Sequence, residues 1–184
     1  MTARSKPPFR ADHVGSLLRP AVLHEARSQA ARGEIDAAAL AAEEDRCIRE
    51  VVALQEGIGL QGITDGEFRR TWWHFDFLSG FDGFELGEPL DKGTFPGSEE
   101  QPPRAMITGK LGRSQPVMVD HFAYLKAVTE GTAKFTVPGP SMAHFRAGRE
   151  GISEAVYPDL AEFWADLTAA YRAELGDLAA QGCR

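Results

Sequence analysis

Two long stretches of this chain repeat apolar residues with the period of a helix. In the first, Asp36 is a good N-cap, and Gly57 and Gly59 mark the end. Its apolar stripe consists of Leu40, Cys47, Ile48, Val51, Val52, Gln55 and Ile58. The second stretch covers about 158–180, and its apolar face consists of Leu160, Phe163, Trp164, Leu167, Tyr171, Leu175 and Leu178. The spacing predicts two amphipathic helices.

Shorter apolar runs alternate with further helices and predict strands. We expect helices over 20–32, 72–78 and 116–128, and strands over 9–15, 62–65 and 134–138. This alternation is typical of an α/β fold with a parallel sheet covered by helices. Residues 81–86 and 105–111 predict an inserted hairpin, and residues 87–104 between them have the Gly, Pro and charge content of a mobile loop.

Composition excludes several classes of protein. The net charge is −7, and no basic patch is interleaved with aromatic residues, which argues against a nucleic-acid partner. No apolar run is long enough to span a bilayer, and the first nine residues lack the apolar core of a secretory signal. The two cysteines, Cys47 and Cys183, indicate a reducing compartment, so we expect a cytoplasmic protein with no membrane partner. Cys47 lies on the apolar stripe of a helix, as a buried and inert thiol would.

One candidate site follows the predicted strand at 62–65, in the sequence GITDGEFRR (residues 62–70). The strand delivers Asp65 and Glu67 to its carboxyl end, and Gly66 allows the backbone to turn there. Ligands bind at this end of the strands in parallel α/β proteins. The alternative is a solvated loop with a structural ion pair to Arg69 or Arg70.

A second candidate is the turn HVGSLLRP, residues 13–20. The backbone N–H groups around Gly15 and Ser16, with the Ser16 hydroxyl, suit a carboxylate or another anion near a helix start. The alternative is a turn that only caps the helix. His13 is equally well interpreted as a core histidine or as a residue that faces a ligand.

These two turns and a third segment, FTVPGPS (residues 135–141), together resemble the cobalamin-independent methionine synthase family. The resemblance is to the C-terminal catalytic barrel of that family and its short single-barrel relatives, and it runs from about residue 9 to the end of the chain. It implies a TIM (β/α)8 barrel. A closed barrel needs eight strands, and the chain has about three β/α units. We therefore expect residues 1–184 to be the N-terminal portion of the barrel, with an insertion near 81–111. The remainder of the barrel would be a second chain or a continuation of this one.

The resemblance also implies a reaction. Members of the family transfer a methyl group from a 5-methyltetrahydrofolate-type donor to the thiol of homocysteine and use zinc, which stabilises a thiolate. Glu67 matches the glutamate that holds the amino group of homocysteine. Ser16, with the backbone of Val14 and Gly15, matches the turn that receives the amino-acid moiety.

The resemblance assigns roles to four further positions less directly. Asp65 and His13 are further substrate-binding candidates, and Ser141 and Phe145 are candidates for the border of the pterin pocket. The zinc ligands of the family, a His-x-Cys pair, a glutamate and a distant cysteine, belong to the other half of the barrel. We therefore expect no metal ligand and no catalytic residue in this chain, which should be inactive alone.

Two alternative functions remain open, and a third is not expected. An epoxide-opening lyase that uses coenzyme M shares the N-terminal motifs of this barrel, and it would alkylate a different thiol. A non-catalytic half-barrel subunit would bind neither zinc nor a thiol. The sequence Gly57-x-Gly59-x-x-Gly62 has the dinucleotide-binding spacing, but it ends a helix and precedes a strand, so NAD binding is not expected.

Overall fold

The computed structural model describes residues 6–7, 9, 11–88, 103–145 and 147–184. Its helices are α1 (Ala21–Ala31), α2 (Ala37–Gly57), α3 (Phe75–Leu78), α4 (Val119–Val128) and α5 (Leu160–Ala180). Its strands are β1 (Gly62–Ile63), β2 (Asp82–Gly87), β3 (Arg104–Gly112) and β4 (Thr132–Ala133), and 3-10 turns span Pro140–Ala143 and Gly148–Gly151. The chain divides into two compact units.

The first unit comprises Met1–Thr71, Asp120–Thr136 and Cys183–Arg184. In it β1 pairs with β4 in parallel, with Gly62 opposite Thr132 and Ile63 opposite Ala133. Its core contains buried side chains from the helices, from β1 and from the turn that follows β1: Leu23, Cys47, Ile48, Val51, Val52, Ile63, Phe68 and Leu125. The apolar stripe of α2 therefore covers the parallel pair.

Helix α2 begins directly after Asp36, the N-cap residue that the sequence predicts. The Asp36 carboxylate accepts a hydrogen bond from the Ala39 N–H at 2.8 Å. Near the end of the helix, the Gln55 amide donates to the Thr64 carbonyl at 2.9 Å and accepts from the Thr64 N–H at 3.0 Å. This buried side chain thus satisfies the backbone just after β1, so the helix and the end of the strand are held in one register.

The second unit comprises Trp72–Val119 and Val137–Gly182. In it β2 and β3 pair as the predicted hairpin, antiparallel with an irregularity between Asp82 and Phe84. Helix α5 packs against β3 and buries Phe163, Leu167, Ala170, Tyr171, Glu174 and Leu178. The α/β class is confirmed.

Several predicted elements differ from the observed ones. The described residues of 9–15 form no strand, because their carbonyls accept hydrogen bonds from side chains rather than from a strand ladder. The strand predicted at 134–138 is Thr132–Ala133, and α4 begins at Val119 rather than at 116. On α5, Leu160, Trp164 and Leu175 are exposed. Residues 89–102, most of the predicted mobile loop, lie outside the described residues.

No helix in the described part of the chain combines the length and apolarity that crossing a membrane would need.

Candidate functional site

The turn after β1 buries an unusual number of polar groups. Thr64, Asp65, Glu67 and Arg70 are each between 1% and 3% exposed. Charged side chains are rarely buried to this extent unless they are paired. Glu67 also has φ of 59°, and it is the single non-glycine residue with positive φ among those the structure describes. This conformation costs about 1–3 kcal/mol and is concentrated at functional sites.

Local hydrogen bonds hold the turn in this conformation. The Glu67 N–H donates to the Asp65 carboxylate at 2.9 Å, and the Gly66 N–H donates to the Thr64 hydroxyl at 3.2 Å. The Arg70 N–H donates to the Glu67 carbonyl at 3.1 Å. Gly66, with φ of 68°, supplies the second left-handed residue, as the sequence predicts. The Asp65 side chain therefore fixes the backbone of Glu67.

The Glu67 carboxylate lies in a mixed electrostatic environment. Its Oε1 is 3.9 Å from Nη1 of Arg70, whose guanidinium lies over the Phe135 ring at 4.9 Å. Its Oε2 is buried and has no hydrogen-bond partner within the described ranges. Burial raises the pKa of Glu67 and Asp65 adds to the rise, while Arg70 and Arg19 oppose it. Burial dominates because the carboxylate has lost water without gaining an equivalent set of donors.

A second carboxylate and a histidine lie close by. Asp65 Oδ2 is also buried without a hydrogen-bond partner among the residues described. On α4, burial lowers the pKa of His121; Arg69 and Arg70 act in the same direction and the Asp65 charge opposes them. His121 is therefore a neutral imidazole beside the acidic turn at neutral pH.

The HVGSLLRP turn lies directly against this acidic turn. The Leu17 N–H donates to the Gly66 carbonyl at 3.1 Å, and the Thr64 hydroxyl donates to the Gly15 carbonyl at 2.8 Å. A Cβ placed on Gly15 would be 3.6 Å from Oε1 of Glu67. The two turns that the sequence singles out are therefore adjacent, and Gly15 faces the Glu67 carboxylate.

The third motif segment, residues 135–141, contacts the HVGSLLRP turn. The Thr136 hydroxyl donates to the Val14 carbonyl at 2.6 Å. Lys134 pairs with Asp12 at 2.8 Å and donates to the His13 carbonyl. Residues just after β4 thus fix the HVGSLLRP turn from its other side.

The remaining predicted site residues are placed as follows. Val14 is 77% exposed and Ser16 is exposed, so both face outward from the turn. His13 is partly buried, and its two ring nitrogens are covered without a hydrogen-bond partner among the described residues. Ser141 and Phe145 belong to the second unit, where Ser141 lies exposed in a 3-10 turn and Phe145 is 70% exposed.

The residues present do not fit a zinc ion. Within the described ranges, no group of three or more His, Cys, Asp and Glu side chains is placed to hold a metal. Cys47 is buried in the core, and burial raises the pKa of its thiol, which favours the protonated form. We assign no zinc ligand among the residues that the structure describes.

Sequence reasoning missed residues that act through the backbone. Arg19 contacts carbonyls of the acidic turn, and Thr136 contacts the HVGSLLRP turn. Both lie inside the segments that the sequence singled out, which was the available signal. Their partners are 48 and 122 positions away in the chain, so no local pattern could indicate the contacts.

We expect Gly15→Ala to destabilise the first unit and to weaken any binding at the turn. Gly15 has φ of 145°, and an added Cβ would be 2.8 Å from the Thr136 hydroxyl. The control is Gly33→Ala, where φ is 73° but nothing lies within 4 Å. Urea denaturation should show a loss about 1–3 kcal/mol larger for Gly15→Ala than for Gly33→Ala. Equal losses would mean that the contact with Thr136 is unimportant.

The fold and this turn define an α/β protein with buried, incompletely satisfied carboxylates at the carboxyl end of a parallel strand. Comparison with known proteins then identifies the family. The chain is 39% identical over 180 residues to the uncharacterized protein YxjH of Bacillus subtilis (strain 168), covering 97% of this chain and 47% of that protein. It is 28% identical over 179 residues to the 5-methyltetrahydropteroyltriglutamate–homocysteine methyltransferase of Thermosynechococcus vestitus, covering 97% of this chain and 23% of the enzyme.

Two solved structures are also similar to this chain. A Listeria monocytogenes protein, provisionally named a vitamin-B12 independent methionine synthase, superposes with a TM-score of 0.78 at 37% identity, over 96% of this chain and 50% of that one. A B12-independent methionine synthase from Shewanella shares the fold, with a TM-score of 0.61 at 17% identity over 80% of this chain and 41% of that one. No family model matches. The chain belongs to the cobalamin-independent methionine synthase family, and it spans about half the length or less of these relatives.

Proposed function

We propose that this chain supplies the amino-acid-binding part of a methyltransferase that transfers a methyl group from a 5-methyltetrahydrofolate-type donor to the thiol of homocysteine. The observation that carries the proposal is the Glu67 carboxylate, which is buried in a left-handed turn beside Gly15 and has an oxygen without a hydrogen-bond partner in the described structure. The printed name of the Thermosynechococcus relative supports the choice of reaction.

An α-ammonium group is the ligand that fits this carboxylate. A buried carboxylate oxygen without a donor is costly, and an ammonium offers three N–H donors and a positive charge. Such a charge-assisted hydrogen bond is about twice as strong as a neutral one. Because Glu67 is only 3% exposed, its side chain must rotate about its own bonds to meet an ammonium, while its backbone stays in place. The movement is favourable because the ionised carboxylate gains a charged hydrogen-bond donor that it lacks when it is buried.

The carboxylate of the same ligand has a suitable partner in the HVGSLLRP turn. The Ser16 side chain is exposed, and the Gly15 backbone lies next to Glu67. We assign the Ser16 hydroxyl and the backbone of Val14 and Gly15 to the carboxylate end, and Glu67 to the ammonium end. His13 belongs to this segment as a candidate contact, and Asp65 orients Glu67 through its backbone N–H.

The methyl donor and the rest of the barrel are assigned to other surfaces. Phe145 is 70% exposed and its ring can stack on a pterin, with Ser141 as a polar neighbour in the chain. The β1–β4 pair is parallel, as neighbouring strands of a barrel are, and relatives about twice as long support a further half. Zinc ligands are assigned to that further half, because the described residues here form no metal-binding group.

The acidic turn argues against the coenzyme M alternative. A sulfonate carries no positive charge to pair with the Glu67 and Asp65 carboxylates, each of which has a buried oxygen without a hydrogen-bond partner among the described residues. A chain that served only as a structural half-barrel would also gain nothing from an incompletely satisfied buried carboxylate, since such a group destabilises the fold.

The proposal predicts how binding depends on pH. The ammonium binds the ionised form of Glu67, whose pKa is raised above 4.5. Affinity for L-homocysteine should therefore be full above this raised pKa and should fall as the pH decreases through it. The ammonium stays protonated throughout, so it contributes no opposing change. Isothermal titration calorimetry of the intact protein over this range tests the expectation.

The control for this titration is Glu67→Gln, which removes the titrating group. Its affinity should be lower at neutral pH and flat across the acidic range. The proposal fails if the protein and the variant show the same pH profile, because the titrating group would then not be Glu67.

A further inference from the structure

Arg19 joins the two turns of the candidate site by a contact that no local pattern indicates. Its Nη2 donates to the Glu67 carbonyl at 3.0 Å and to the Arg70 carbonyl at 2.6 Å. Arg19 lies three residues after Ser16. We propose that Arg19 is a positioning residue, which fixes the backbone of Glu67 and so aims its carboxylate at the substrate ammonium. The inference rests on the proposed role of Glu67.

The backbone of Glu67 determines where its side chain points. The residue is left-handed, with φ of 59°, which non-glycine residues rarely adopt. Its carbonyl accepts from both the Arg19 guanidinium and the Arg70 N–H. Two donors satisfy both lone pairs of that oxygen, and the bond from the charged Arg19 is the stronger type. Rotation of the Glu67 peptide would break both bonds, so Arg19 opposes the return of Glu67 to a commoner conformation.

The same contact sets the spacing between the two ends of the site. Residues of the HVGSLLRP turn are tied to the acidic turn at two points: Leu17 donates to the Gly66 carbonyl, and Arg19 donates to the Glu67 carbonyl. Ser16, assigned to the carboxylate of the ligand, precedes both ties in the chain. An α-amino acid carries its ammonium and carboxylate on one carbon, so its recognition depends on this fixed spacing.

Arg27 provides a matched comparison within the same turn. Its Nη1 donates to the Arg70 carbonyl at 2.9 Å, its Nη2 donates to the Phe68 carbonyl, and it pairs with Glu44 at 3.3 Å. It therefore supports the acidic turn as Arg19 does, but it donates to the carbonyls of Phe68 and Arg70, which follow Glu67, and not to the Glu67 carbonyl. Loss of Arg27 should reduce stability without changing the direction of the Glu67 carboxylate.

The test compares Arg19→Met with Arg27→Met in the intact protein. Both changes keep an apolar stem and remove the donors. Calorimetry with L-homocysteine should show that Arg19→Met raises Kd about tenfold, while Arg27→Met changes it by less than about twofold, even where thermal denaturation shows similar losses of Tm. Arg19→Lys, whose ammonium can donate to both carbonyls, should stay within about threefold of the unmodified protein.

A second arm separates this inference from the proposed function. Combined with Glu67→Gln, Arg19→Met should change Kd by less than about twofold, because Arg19 acts through the Glu67 carboxylate. If Glu67→Gln alone weakens binding but Arg19→Met does not, only the inference about Arg19 is overturned. If Glu67→Gln alone leaves Kd unchanged, the proposed function fails, and the role of Arg19 fails with it.

Equal effects of Arg19→Met and Arg27→Met on Kd would also overturn the inference, since both arginines would then be simple supports of the turn. If Arg19→Met does not fold, Arg19→Gln serves in its place, because its shorter amide cannot reach both carbonyls and the same increase in Kd is expected.

Discussion

Replacing Glu174 with alanine is expected to lower the free energy of unfolding of the second unit by about 3–5 kcal/mol. Glu174 is fully buried on α5. Its carboxylate accepts hydrogen bonds from Nε of Arg113 at 2.7 Å and from the Val117 and Met118 N–H groups at 3.0 and 2.8 Å. Alanine leaves the two N–H groups without an acceptor and leaves Arg113, whose side chain is 9% exposed, without its buried partner.

Asp177→Ala is the matched control for this loss. Asp177 pairs with the same arginine at 2.5 Å, but its side chain is 49% exposed, so water can replace the contact. We expect Asp177→Ala to cost about 0–1 kcal/mol. Chemical denaturation followed by tryptophan fluorescence measures both variants. Similar losses for the two would mean that the buried backbone contacts of Glu174 contribute little.

Replacing Glu67 with glutamine should raise the Kd for L-homocysteine by about 10- to 150-fold, which corresponds to the 1.5–3 kcal/mol of a hydrogen bond to a charged group. The variant keeps the size of the side chain and the Glu67 backbone contacts with Asp65 and Arg19. It removes the negative charge that the ammonium requires. The measurement is calorimetric titration of the intact protein at neutral pH.

The same variant should be more stable than the unmodified protein at neutral pH. The folded-state pKa of Glu67 is raised above 4.5, so the folded state binds more protons than the unfolded state between the two pKa values. The contribution of Glu67 to stability is therefore lost as the pH rises through that window, and glutamine does not suffer this loss. Weaker binding together with an unchanged or lower Tm would contradict the view that burial of this charge is tolerated for function.

The sequence predicted the elements whose signals are local. Helix α2 could be predicted because Asp36 caps it and Cys47, Ile48, Val51 and Val52 follow its period, and these residues are capped and buried as expected. The turn at Gly66 was predictable because glycine is the residue that adopts positive φ without strain. The pairing of β2 with β3 was predictable from two apolar runs separated by a segment with the composition of a loop.

Other features depend on contacts between distant segments. The described residues of the predicted strand at 9–15 are irregular, since the Thr64 and Thr136 hydroxyls donate to the Gly15 and Val14 carbonyls from other parts of the chain. The left-handed conformation of Glu67 was not predictable, because it is maintained by Asp65, Arg70 and the distant Arg19 against its own preference. A single sequence shows which residue types are present but not which of them contact each other in the folded protein.

The central claim is that the Glu67 carboxylate binds an ammonium group. The most direct measurement compares the Kd of L-homocysteine with that of 4-mercaptobutyrate, the same molecule without its α-amino group, in the intact protein and in Glu67→Gln. We predict that the protein prefers homocysteine by at least about tenfold and that this preference is lost in the variant. A preference for homocysteine that is the same in both proteins would contradict the claim.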